Sequence, residues 1–220
     1  MKKIVLPLTI VCLLCSCTAE DTNTISAKTS YYQFNDDDVL KLIPTNCYNP
    51  GDTITYVNED LETLQFVVRL NEITKHSEAE NTNSQDFVNF YYDEQYIEMY
   101  STLFRKEAYL GESSFFIRQK KWPTSFSGIN AIPSDDSDFT VSIGLKPFSE
   151  KIPETGIDLS KKEYTLQAQN TTYTGVIRTT INETGASAQW PLPTLKYVYF
   201  VQGKGIMGFD DLDGHTWRRK

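Results

Sequence analysis

From about residue 30 onward, apolar and polar side chains alternate rather than recur every three or four positions. Leu64, Phe66, Val68 and Leu70 fall on one face, with Gln65, Val67, Arg69 and Asn71 on the other. Phe139, Val141, Ile143 and Leu145 repeat the pattern against Thr140, Ser142 and Gly144, and Tyr164, Leu166 and Ala168 oppose Thr165, Gln167 and Gln169. A period of two built from β-branched and aromatic residues predicts half-buried antiparallel strands. The same reading places strands over 38–43, 53–58, 87–92, 95–104, 113–120, 173–181, 196–202, 205–210 and 215–219. No window carries a sustained i, i+3, i+4 stripe. "NEDLETL" reads as the turn between "GDTITYV" and "LQFVVRL", Asp213-Gly214 as a hairpin turn, and Gly203-Lys204-Gly205 as a tight turn or bulge.

About eleven or twelve strands joined largely by hairpins predict an all-β fold, either an antiparallel β-sandwich or a curved, barrel-like sheet. Four polar segments, 76–86, 122–138, 147–162 and 182–194, are expected as long loops, and a binding function is expected on them. No internal repeat interrupts the pattern, so residues 31–220 read as a single all-β domain.

The beginning of the chain follows a different rule. Met1, Lys2 and Lys3 precede a short apolar run from Ile4 to Leu14, which reads as a secretory signal. The run falls short of the roughly 20 apolar residues a membrane span requires. Leu14-Cys15-Ser16-Cys17 resembles the lipobox of bacterial lipoprotein precursors. That resemblance implies a signal peptide of residues 1–16, cut between Ser16 and Cys17. Cys17 would then be the first mature residue, carrying a diacylglyceryl thioether and usually an acylated amine. Thr18-Ala19-Glu20-Asp21 is similar to the signal that sends some Bacteroidetes lipoproteins to the outer face of the outer membrane. The expected location is therefore the cell outer membrane, facing the surface or the periplasm. Residues 18–30, small and polar, are expected to form a flexible tether behind the lipidated cysteine, with a reach of about 20 Å.

Composition changes the picture in two ways. Loss of Lys2 and Lys3 with the leader leaves 19 basic against 29 acidic side chains, a net charge of −10. A body so acidic repels phosphate backbones, which argues against nucleic acid as a partner. The four cysteines do not make two disulfides: Cys12 and Cys15 leave with the leader and Cys17 takes the lipid. Cys47 then stands alone and is expected as a buried small hydrophobe.

Catalytic signatures are sparse. His76 is expected in a loop, "KHSEAEN", and His215 just after the Asp213-Gly214 turn, both solvated. A zinc site would need one or both with distant carboxylates. No nucleophile elbow, phosphate loop or Cys–His pair is found. Asp36-Asp37-Asp38, Asp135-Asp136-Ser137-Asp138 and Asp210-Asp211-Leu212-Asp213-Gly214 lack the EF-hand pattern and are expected as solvated turns. No cofactor, metal or catalytic residue is assigned, and the chain is not expected to be an enzyme.

Aromatic residues are the one enriched class, with thirteen Tyr, twelve Phe and three Trp. Most are expected in the core. Trp122 and Trp190, each before a proline at the edge of a long loop, are the candidate ligand-binding positions, since exposed rings stack on sugars. Finally, "YVYFVQGKGIMGFDDLDGHTWRR" resembles the endings of small all-β Bacteroidetes lipoproteins, which implies fold class and no activity. The expectation is a lipoprotein anchored through Cys17 with a non-catalytic β domain for binding or envelope structure. A carbohydrate-binding module and an envelope hydrolase using the acidic runs and His215 are the alternatives.

Overall fold

The computed structural model describes residues 29–82, 85–101, 114–125, 133–146, 154–181 and 195–220. The strands are β1 (Ser30–Tyr32), β2 (Thr53–Val57), β3 (Thr63–Thr82), β4 (Gln85–Ser101), β5 (Ser114–Pro123) and β6 (Ser137–Lys146), then β7 (Thr155–Ile157), β8 (Tyr164–Ala168), β9 (Thr171–Thr180), β10 (Leu195–Val201), β11 (Gly205–Asp211) and β12 (Thr216–Arg219). Eleven of them form one antiparallel path in the order β7-β6-β5-β4-β3-β2-β12-β11-β10-β9-β8, and β1 adds to β4 in parallel. The sheet curls into a half-barrel. Of the two expected architectures, it is the curved sheet that forms.

Alternation supplies one apolar face for the curl to enclose. Leu64, Phe66 and Val68 of β3 meet Ile97 and Met99 of β4, Phe115 and Ile117 of β5, and Val141 and Ile143 of β6. From the other half come Ile54, Tyr56, Val198, Phe200, Ile206, Phe209 and Trp217. A smaller apolar cluster, Leu166, Ala168, Val176, Tyr199 and Met207, lies apart from this core. Gly175, at φ +66, sits in β9 where its pairing passes from β8 to β10, and the β8–β9 tip returns to β12 through Gln169 N–H donating to Arg219 O at 2.8 Å.

Three expectations are corrected, the simplest at 147–162, expected as a loop, where β7 pairs with β6. Residues 38–43 are not a strand. Asn35 caps a four-residue helix, α1 (Asp36–Val39), in a capping box with Asp38: Asp38 N–H donates to Asn35 Oδ1 at 2.9 Å, and Asn35 N–H to Asp38 Oδ2 at 3.1 Å. The chain then crosses the inside of the half-barrel as a strap. Two fully buried glutamines facing each other on β4 and β5 fix it. Ile43 N–H donates to Gln95 Oε1 and Gln119 Oε1, both at 3.1 Å, and Gln95 Nε2 returns a bond to Ile43 O at 2.7 Å. The strap's far side ends on Tyr48, whose hydroxyl accepts from Ile206 N–H and from Arg219 Nη1. Gly205, at φ +84, faces this ring, and a β-carbon there would lie 2.5 Å from the Tyr48 oxygen.

The segment 76–86 is not a loop either. β3 runs through it as a twenty-residue strand, paired with β4 to Thr82↔Gln85. The expected strand 87–92 and residues 95–101 of the expected 95–104 are joined in β4, and 102–104 lie outside the described residues. Backbone pairing runs the length of this hairpin, and its sequence shows no period of two to find. The turns expected at 58–62 and after Asp211 are present, as is the one at 202–204.

Strand directions give the molecule two distinct ends. β1 runs parallel to β4, with Ser30 opposite Phe90, so the chain arrives from the side of the β3–β4 tip. At the opposite end lie the last residues of β4, β6 and β9 and the first of β5, β7 and β10. The turns joining β2 to β3 and β11 to β12 are there too. Three of the long connections, 102–113, 147–154 and 181–194, therefore leave from that far end.

Candidate functional site

Two groups of polar and aromatic side chains stand outside the core. The first occupies the outer face of β3 to β6. Register sets His76 opposite Tyr92, Glu94 opposite Lys120, and Tyr96 opposite Arg118. His76 is therefore on a strand, not in a loop. It stacks on Tyr92 with centroids 5.7 Å apart, and Nε2 lies 2.7 Å from Thr74 Oγ1.

Glu94 is buried here. Arg118 Nε approaches its Oε1 at 3.1 Å, and the same guanidinium reaches across to Glu154, whose other oxygen accepts from Ser142. Burial pushes the Glu94 carboxyl up despite the Arg118 charge, and pushes Lys120 down. Burial, with Glu94 and Glu98 alongside, pushes the Tyr92 and Tyr96 hydroxyls up to about 12.

Trp122 belongs to this face and is half-buried. Its ring meets Phe90 and Tyr92 edge-to-face at 5.0 and 4.9 Å, and Lys120 Nζ stands 3.9 Å from its centroid. The same device recurs across the molecule. Arg118 covers Tyr96 and Phe116, Lys75 sits between Tyr31 and Tyr91, and Arg178 sits between Tyr164 and Tyr197. Cations thus occupy ring faces that a sugar would stack on. Trp190 lies outside the described residues, as do Leu14, Ser16 and Cys17. Cys47 is a free, half-buried thiol packed against the core.

The second group lies at the far end, where two turns meet. In the β2–β3 turn, buried Asn58 accepts from Asp60 N–H at 3.1 Å and Glu62 N–H at 2.8 Å, and its amide donates to Glu62 Oε2 at 2.7 Å. This local bonding leaves Leu61 in a left-handed conformation, φ 65, with 80% of its surface exposed. In the β11–β12 turn, Asp211 accepts from the Trp217 indole at 2.9 Å and from His215 N–H at 2.8 Å, and its Oδ2 is 3.1 Å from His215 Nδ1. The expected solvated aspartate is almost fully buried, and His215 is braced rather than free. Asp36 and Asp37 of the first acidic run are exposed as expected, but Asp38 is buried, 2.8 Å from Lys121 Nζ. Asp135, Asp136 and Asp138 are exposed.

Burial pushes the Asp211 carboxyl up, but its three donors outweigh that and hold it below the usual carboxylate range. The same hydrogen bond raises His215. Three contacts join the turns: Glu59 Oε2 accepts from Thr216 N–H at 2.8 Å and from Thr216 Oγ1 at 3.1 Å, and His215 Nε2 lies 4.0 Å from Asp60 Oδ2. His215 thus faces a carboxylate where an acyl-transfer base would face a hydroxyl or thiol. Among the described residues no group of three or more His, Cys, Asp or Glu side chains is arranged to hold a metal ion. What the two turns offer is a fixed, exposed surface.

Gln95, Gln119, Leu61 and Leu212 were not singled out by the sequence. The leucines did leave a signal, an apolar residue inside each of two acidic turns. Comparison with protein-family models, with curated proteins and with solved structures finds no match.

Proposed function

We propose that this chain is a lipoprotein held in the outer membrane through Cys17, and that its β domain binds a partner rather than catalysing a reaction. The supporting observation is the direction of β1, which brings the chain in from the β3–β4 tip and leaves the far end, with the β2–β3 and β11–β12 turns, turned away. A lipid on Cys17 and a tether of about 20 Å put the tip side toward the bilayer. Binding residues are commonly carried by loops on a rigid sheet, and the glutamine-pinned strap supplies that rigidity.

The test is labelling of cells with radioactive palmitate. The wild-type chain takes up label and the Cys17→Ala variant takes up none. Label retained in that variant, or absent from the wild type, contradicts the anchor. Protease treatment of whole cells then reports which side of the membrane displays the domain.

A further inference from the structure

At the end opposite the β2–β3 and β11–β12 turns, the β8–β9 tip meets the end of β12 beside the start of β2. Gln169 N–H donates there to Arg219 O at 2.8 Å, and Lys220 N–H to Thr55 O at 2.9 Å. Between them lies a cavity of about 340 Å³ lined by Thr53, Ile54, Thr55, Gln169, Arg219 and Lys220. That volume is at the small end of the range for small-molecule sites. Each polar residue of the wall carries a donor, and no side chain in it is negatively charged.

Charges drawn out of water are ordinarily paired, and the chain has 29 acidic residues to pair with. The ion pairs among the described residues draw on Lys41, Lys121, Lys161, Arg118 and Arg218, and Arg219 and Lys220 are in none of them. Asp52, next to the wall, is engaged by Asn49. Arg219 is clamped by neutral acceptors instead. Its Nη1 donates to Tyr48 Oη at 3.0 Å and to Lys204 O at 3.4 Å, and its Nη2 to Cys47 O at 3.2 Å. The guanidinium carbon also stands 4.7 Å from the Tyr48 ring centroid. These contacts hold the group still without neutralising it, and two of its five N–H groups remain.

Gln169 is a second, independent sign. It turns the chain at φ 51, a left-handed conformation that glycine or asparagine adopts more readily, and Asn170 follows at φ 56. The Gln169 Oε1 accepts from the Tyr173 hydroxyl at 2.9 Å, and among the described residues its amide N–H groups have no partner. A residue poorly suited to the turn thus brings unused donors to the cavity.

We infer that this cavity binds the phosphate or sulfate group of a small molecule. A planar carboxylate needs two parallel donors from one side. The donors here come from three elements, β2, the β8–β9 tip and the end of β12, and suit the oxygens of a tetrahedral anion. Pre-fixed Arg219 supplies charge at little entropic cost. The site lies apart from the far end and does not depend on the lipid anchor or on the binding role proposed above.

The test is a titration of the full-length, nitrogen-labelled protein in non-ionic detergent micelles, followed by NMR. The probes are inorganic phosphate and sulfate, with acetate and chloride at equal ionic strength as controls. The backbone amide resonances of Thr55, Gln169 and Lys220 are expected to shift along one saturable curve with phosphate or sulfate, and to stay still with the controls. Whichever of the two ions binds more tightly identifies the group the small molecule carries. Lys220→Gln and Gln169→Gly should each weaken binding at least threefold. Gln169→Gly suits the left-handed turn and should leave the melting temperature unchanged or raise it by about 2 °C, which separates loss of the ligand from loss of the fold. Equal shifts with acetate or chloride, no saturable response to either probe, or full affinity in both variants overturns the proposal.

Discussion

Asp38 and Asp211 both lie inside acidic runs and both are buried, with 1% and 2% of their surface exposed, yet they are held by different means. Asp38 faces a permanent cation, Lys121 at 2.8 Å, with Lys41 at 3.4 Å and the Asn35 backbone completing its shell. Asp211 faces an indole, a backbone N–H and an imidazole that titrates. The first aspartate fixes the strap inside the half-barrel, and the second fixes a turn on its rim. A buried carboxylate close to the core thus has a partner charged at every physiological pH. The one near solvent depends mainly on neutral donors.

The largest effect should come from breaking the first arrangement. Asp38→Ala leaves Lys121 buried without its counter-ion and removes the capping box, and should cost about 3–5 kcal/mol in chemical denaturation. Combining it with Lys121→Met should recover part of that loss, because no isolated charge then remains. A double variant as unstable as the single one would mean that the cap, not the ion pair, carries the stability.

The second arrangement should prove milder. Asp211→Asn keeps an oxygen for the Trp217 and His215 donors and should cost about 1–2 kcal/mol. Its sharper signature is on His215, whose imidazole pKa should fall toward its ordinary value in an NMR titration. An unchanged His215 titration would remove Asp211 as the cause of its shift.

The smallest effect is the pH profile. Asp211 is lowered on folding, so its contribution is complete above the ordinary carboxylate value of 3.8 and is lost as pH falls through the folded pKa. His215 is raised, so its contribution is complete below 6.5 and is lost as pH rises through the folded pKa. Stability from this turn should therefore level off between about pH 4 and 6.5 and fall on both sides. Asp38 is also lowered: burial opposes ionisation, but Lys121 and the cap outweigh it, so its contribution is lost only in acid. In Asp211→Asn the alkaline arm of the profile should shrink while the Asp38 acid arm remains.

The same contrast explains what the sequence made legible. Strands such as Thr63–Val68 and Val141–Ile143 bury one face, and burial writes alternation into the residues. The hairpin from His76 to Asp86 pairs through its backbone, and no alternation in its residues announces it. The strap reads as a strand because "DVLKLI" is apolar enough for one, while the helix-starting pair Asn35 and Asp38 is a quieter sign. At the far end the acids and His215 were visible as residues. Their burial was not, since it depends on Trp217 and on a turn some 150 residues distant in the chain. Trp122 was found at the edge of a loop, but the cation over its ring comes from its own strand, two residues away.

The direct test of the account is the mass of the N-terminal peptide of the protein recovered from membranes. The account predicts a chain that begins at Cys17, with residues 1–16 gone and a diacylglyceryl group on the cysteine. A chain that retains those sixteen residues and carries Cys17 unmodified would contradict it.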